Sequence, residues 1–200
     1  MPTLRLLILL LPISIFANPI RFQRDQINYI YHDTKINETT LEKFHGLFEN
    51  YYSKTLDDLL AKKNYPLRVE IYTDANRFRA DTGLASFTAG MFDAKTETFY
   101  FLLTPKTLQE DKLITIISHE ACHAAIHSKK LDFYQIPRSL EEGFCYLHYP
   151  SETILNRDVS AYSKMGFNEF LSISEKNLAS SDKKKREEIY QVSARFIRFI

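Results

Sequence analysis

An excess of charge of either sign is missing from this sequence. Its 26 Lys and Arg face 25 Asp and Glu, for a net charge of +1 over 200 residues. That balance excludes the basic footprint of a nucleic-acid binder. The one dense charge run, Lys183-Lys184-Lys185-Arg186, is followed by Glu187-Glu188 and reads as the solvated start of a helix. Past the first residues no apolar run is long enough to cross a membrane, and no internal repeat or low-complexity segment is visible. Cysteine is scarce: only Cys122 and Cys145 occur, and none directly follows the N-terminal apolar stretch, so a lipid anchor is not indicated. Apolar residues are plentiful, at 44% with 15 Phe and 12 Tyr, which suffices for a core and argues against disorder.

The N-terminus carries a targeting segment. Arg5 is followed by the apolar stretch Leu6 to Phe16, bent by Pro12 and ending at Ala17. About 11 apolar residues are too few to span a bilayer of roughly 30 Å as a helix. Residues 1–17 are therefore expected to be a signal peptide that is removed. Residues 18–200 are expected to be exported as one domain, with periplasm, cell surface and medium undistinguished. Export permits a disulfide, yet the expected state of Cys122 and Cys145 is two buried free thiols, with a disulfide as the alternative.

Periodicity predicts an α+β fold. Ile27–His32 reads as a first strand. Thr39 or Thr40 is placed to cap a helix in which Leu41, Phe44, Leu47, Phe48, Tyr51, Tyr52, Leu56, Leu59 and Leu60 recur at helical spacing; this stripe is assigned to the core. Leu67–Tyr72 alternates as a strand, and Asp74 caps a short helix over Ala75–Asp81 that Gly83 ends. Ser86–Asp93 and Thr98–Leu103 form two strands around Ala94-Lys95-Thr96. Helices are predicted from about Leu108 to Ser128, from Ser139 to Tyr149, over Arg157–Met165 and Asn168–Leu171, and from a cap at Ser181 or Asp182 to Ile200.

The chemistry lies in His119-Glu120-Ala121-Cys122-His123. Two histidines four apart on a helix have neighbouring Cβ atoms, about 5–6 Å apart, so both imidazoles reach one ion. At this composition a bare His-Glu-x-x-His arises by chance about once in eighty such chains, so the motif alone is not specific. A third donor comes from Glu142, nineteen positions after His123 and followed by Gly143. Two imidazoles and a carboxylate suit Zn²⁺ with one position open for water. Glu120, beside the metal and not bonded to it, is the general base. Each cysteine lies three residues after a proposed ligand, His119 or Glu142. Glu141 is the competing ligand, but points about 100° away on a helix. His127, eight residues after His119, is about 12 Å along the helix and too distant to share the ion; His32 and His45 carry no motif.

His119–His123, eighteen intervening residues and then Glu142-Gly143 resemble the gluzincin clan of zinc metallopeptidases. The stretch Ile136-Pro137-Arg138-Ser139-Leu140-Glu141-Glu142-Gly143-Phe144-Cys145-Tyr146 is similar to the Pro…Leu-x-Glu-Gly-x-Ala-x-Tyr segment of peptidase-MA-like domains. Ser139 departs from the aromatic residue frequent there, and Cys145 from the usual alanine. The resemblance is specific over residues 114–148. It implies a zincin-like, thermolysin-like fold and an exported peptidase acting on a peptide or protein substrate. It also implies a tyrosine after the glutamate ligand as oxyanion donor, for which Tyr190 is the first candidate and Tyr146 and Tyr162 weaker ones; His148 is a candidate substrate contact. An edge strand before the zinc helix is implied too, with Gly90 and Met91 as substrate-binding positions, Gly90 admitting another backbone closely. A non-catalytic zinc-containing scaffold, or a zinc hydrolase of a non-peptide amide or ester, are the alternatives.

Overall fold

The computed structural model describes residues 19–33, 36–63, 66–86, 88–129, 136–148, 165–180 and 182–197. The expected signal segment 1–17, Tyr162, Ser181 and the helix predicted over Arg157–Met165, Met165 itself excepted, lie outside the described residues, as does the side chain of His148.

Five strands form one mixed sheet: β1 (Ile20–Arg24), β2 (Ile27–Tyr31), β3 (Leu67–Tyr72), β4 (Gly90–Asp93) and β5 (Thr98–Leu102), in the order β1-β2-β3-β5-β4. β2, β3 and β5 run parallel, and the two outer strands are antiparallel to their neighbours. Period-two alternation sends Tyr29, Tyr31, Val69, Ile71, Phe99 and Phe101 to one face. Two helices cover that face, α1 (Glu38–Asp58) and α3 (Glu110–Ser128). The aromatic stripe of α1 is core, as its spacing predicts, with Phe44 edge-on against Phe101 at 5.3 Å and Phe48 against Phe99 at 5.2 Å; Leu60, assigned to the same stripe, is instead exposed beyond the helix end. Leu113, Ile117, Ala121 and Ala125 are the buried stripe of α3. His119 and His123 lie on the opposite side of the helix, and Glu120, itself buried, flanks the core stripe.

The other face is partly covered by α2 (Ala75–Thr82), whose Phe78 meets Tyr72 and Leu102. Its ends follow the sequence reading: Asp74 accepts from the Asn76 and Arg77 N–H groups, and Gly83 takes the left-handed conformation at φ 69°. This face also buries an acid. Glu70 accepts from His32 Nε2 at 2.8 Å and from the Tyr72 hydroxyl at 3.1 Å, and pairs with Arg68 at 2.5 Å. Burial pushes its carboxyl up, but the His32 bond and the Arg68 charge outweigh this and hold it below the ordinary carboxylate range. A depressed folded pKa adds stability above the unfolded value of about 4.3, and that stability is lost as pH falls through the folded value. Glu70→Gln is expected to lower the urea midpoint at pH 7, with the gap to the parent closing as both are taken below about pH 4.

Three helices follow α3: α4 (Arg138–His148), α5 (Phe167–Leu178) and α6 (Lys183–Ile197). They form their own small clusters, Tyr146 with Ala194 and Phe170 with Val192. The architecture is the predicted α+β class. Several elements differ from the predicted bounds: α5, predicted over Asn168–Leu171, runs over Phe167–Leu178, and β5 ends at Leu102. β1 was not anticipated. The helix cap is Asn37, whose side chain accepts from Thr40 N–H, not Thr39 or Thr40. His32 lies just beyond its strand. The strand predicted over Ser86–Asp93 is confined to Gly90–Asp93, because a turn closed by Thr88 N–H to the Ala85 carbonyl precedes it. Among the described residues no helix is long and apolar enough to cross a membrane.

Candidate metal centre

α3 delivers His119 and His123 one turn apart, and α4 crosses it to bring in Glu142. His119 Nε2 lies 3.3 Å from Glu142 Oε2 and 3.2 Å from His123 Nε2; His123 Nε2 is 3.5 Å from the same oxygen. Three donors each about 2.0–2.1 Å from one tetrahedral ion would sit about 3.3 Å apart. The group therefore has the spacing of a metal-ligand set, and it could hold an ion. Zinc fits the two-nitrogen, one-oxygen donor chemistry.

The surroundings orient these donors. Glu141 is not part of the triangle: its Oε1 lies 2.6 Å from His123 Nδ1. A carboxylate only accepts, so Nδ1 carries a proton and Nε2 is the nitrogen that would face an ion, the usual outer support for a ligating imidazole. Adjacent glutamates thus take different tasks, as their 100° separation requires. On the far side of Glu142, Arg138 Nε stands 3.7 Å from Oε1. Without an ion, burial opposes charge on both partners, but His123 and His119 hold the Glu142 carboxyl well below its ordinary range. Burial likewise opposes the proton on His123, but Glu142 and Glu141 outweigh it and raise His123 well above its ordinary value. A cation would replace that proton. Glu142→Gln is expected to lose zinc on gel filtration while Glu141→Gln retains it, with metal content read by emission spectrometry; the reverse pattern would exchange their roles.

Glu120 is buried beside the triangle and turned to the sheet edge. Its Oε2 accepts from Phe92 N–H at 2.8 Å. Burial pushes its carboxyl up, against the pull of His119 and His123. The bond follows from strand register. Leu102 N–H donates to the Ala89 carbonyl at 2.9 Å, so alternate residues of β4 face β5, and Gly90 and Phe92 turn their backbone groups outward.

Gly90 makes this possible in a way the sequence reading placed elsewhere. A Cβ there would lie 2.6 Å from Ile116 Cγ2 and 3.1 Å from Glu120 Cγ, so the missing side chain lets β4 sit close on α3. Met91 pairs with Tyr100 across the sheet, on the face away from α3, although both residues line the cleft. The cleft is open, about 1460 Å³, with β4 and α3 on one side and α4 and α6 on the other. Tyr190 lines it from α6 and accepts from Arg186 Nη2 at 3.2 Å, leaving its own proton free to be donated. Burial, with the Glu142 charge adding to it, pushes Tyr190 up to about 12, so it stays protonated at neutral pH. Tyr146 stacks on Tyr190 at 5.9 Å. His127 pairs with Glu97 at 3.4 Å, apart from the ligand triangle.

The expectation of free thiols is overturned. Cys122 and Cys145 form a disulfide between α3 and α4, with Cα atoms 5.5 Å apart. The helices that bring Glu142 to the histidines also bring these two positions within bonding range. Closing a loop across 23 positions is worth about 3 kcal/mol by restricting the unfolded chain.

Among known proteins, no family model matches the sequence, and no curated protein matches it either.

Proposed function

We propose that this protein is an exported zinc-dependent peptidase of the gluzincin kind, with a thermolysin-like catalytic domain. One observation carries the reading: a buried carboxylate that is not a ligand, Glu120, lies against a three-donor metal set and an open strand edge at once. A scaffold site needs the three donors, but not a further carboxylate with one oxygen left free beside them.

An ion bound to His119, His123 and Glu142 would polarise a carbonyl and lower the pKa of water. The chain's own residues do the rest. Glu120, its carboxyl raised by burial, takes a proton from the attacking water and passes it to the leaving amine. The Phe92 N–H keeps one carboxylate oxygen fixed and leaves Oε1 for this transfer. The outward N–H and carbonyl of Gly90, and the carbonyl of Phe92, bond an extended substrate without reading its side chains. Tyr190 donates its proton to the oxyanion, with Arg186 behind it. The disulfide, which persists in oxidising compartments, supports export.

The test is a peptide-library digest with the zinc-loaded protein, followed by mass spectrometry. Cleavage that stops with a chelator and returns with zinc is the expected result. No cleavage of any peptide, with zinc bound, would favour the scaffold alternative; ester or non-peptide amide turnover alone would favour the other.

A further inference from the structure

The ligand set bridges two parts of the fold that share little apolar packing. α3 is seated in the main core through Leu113, Ile117 and Ala121. α4 leans the other way, with Tyr146 against Ala194, Leu140 in the cluster of Phe170 and Val192, and Gly143 close against Ser193. No described residue of α4 belongs to the main core cluster. The side-chain contacts from His119 and His123 to Glu141 and Glu142 are polar, and are those of the site itself. Polar contacts among groups competing for one cation are a weak clamp. Beside them stands one covalent link, fully buried, from Cys122, adjacent to His123, to Cys145, one helical turn beyond Glu142.

We propose that the Cys122–Cys145 disulfide is the positioning element of the metal centre, holding Glu142 at the histidine pair so that tight uptake of the ion requires the oxidised pair. The inference rests on the metal-site reading above. The bond fixes each helix within one turn of its ligand, which leaves the Glu142 carboxylate little freedom to swing away. Without it, the described residues of α4 keep their packing on α5 and α6 and only the polar contacts of the site towards α3, a weaker tie between the third donor and the other two. Because coupling is reciprocal, an ion that binds more tightly when the bond is intact also makes the bond harder to reduce.

The experiment compares the full chain with the Cys122→Ala/Cys145→Ala double variant. Zinc affinity is measured by competition with a chromophoric chelator, and coordination by the visible spectrum of the cobalt-loaded protein. The double variant is expected to bind zinc roughly 10–100-fold more weakly, with an altered cobalt spectrum and a circular dichroism spectrum that remains folded. Glu142→Gln should weaken binding strongly in the parent and add little in the cysteine-free background, since the donor is already out of place there. Affinity within about twofold of the parent, with Glu142→Gln retaining its whole effect, would overturn the proposal.

Should the double variant not fold, the parent is equilibrated in glutathione redox buffers, two glutathione thiols giving one glutathione disulfide as the protein pair gains two electrons and two protons. Saturating zinc is expected to shift the midpoint towards the oxidised protein, and a midpoint that zinc leaves unmoved would overturn the proposal. A parent that takes up no zinc overturns this inference together with the reading beneath it. Equal uptake by parent and double variant overturns the inference alone.

Discussion

Glu120→Gln is expected to keep its zinc and lose peptide hydrolysis by at least 10²-fold, and up to about 10⁴-fold, the range general-base catalysis supplies. The substitution is nearly isosteric. Its amide oxygen still accepts from Phe92 N–H, so β4 keeps its seat on α3. It contributes no donor atom to the triangle of His119, His123 and Glu142, so metal content is unchanged. What disappears is the basic oxygen. Side-by-side zinc analysis and turnover on the peptide found in the library digest would measure both. A variant as active as the parent would refute the role of Glu120 and, with it, the mechanism.

Gly143→Ala is expected to give the largest loss of stability from a single methyl group. A Cβ at this position would stand 2.3 Å from Ser193 Cβ, 2.7 Å from the Ser193 carbonyl carbon and 2.8 Å from Ala194 N. Alanine would gain about 1 kcal/mol of helix propensity over glycine. Overpacking costs typically 1–3 kcal/mol, occasionally more, when neighbours shift, and here two of the three neighbours are backbone of α6. The clash therefore wins. A net loss of about 2 kcal/mol would lower the melting temperature by roughly 4–8 °C in a chain of this size. Ser193→Gly should rescue only part of this, because the backbone contacts remain. Zinc affinity should fall as well, since Glu142 is the neighbouring residue. An unchanged melting temperature by calorimetry would show that α4 and α6 are not packed this closely. Gly143 thus has a packing reason of its own to follow a ligand: it brings α4 down onto α6.

The sequence spelled out the parts of this molecule that depend on local spacing. The aromatic stripe of α1, the Asp74 cap and Gly83 stop of α2, and the paired imidazoles of α3 all follow from helical geometry and cap chemistry. Glu142 was legible because its spacing and the following glycine narrow the choice to two adjacent acids. The work of Glu141 was not legible, because which nitrogen of His123 it meets depends on how α4 crosses α3. β1 escaped because Ile20 and Phe22 are exposed on an edge and give no inward apolar period. The shorter β4 escaped because composition does not show where pairing with β5 stops. The disulfide was visible as two residues at matching offsets, yet proximity across two helices is a tertiary property. The partner of Glu120 is a main-chain N–H, which leaves no trace in side-chain identity.

The first turn of α4 has one further partner: Ser139 N–H donates to Glu175 Oε1 of α5 at 3.1 Å. An acid at a helix start favours that helix through its exposed amides. One carboxylate that caps the first turn of α4 therefore belongs to an element carrying none of the site's named donors. Natural variation at position 175 would retune the reach of Glu142 without altering any residue of the candidate ligand set. Relatives of this chain could drift in metal affinity while their motif stays letter-perfect.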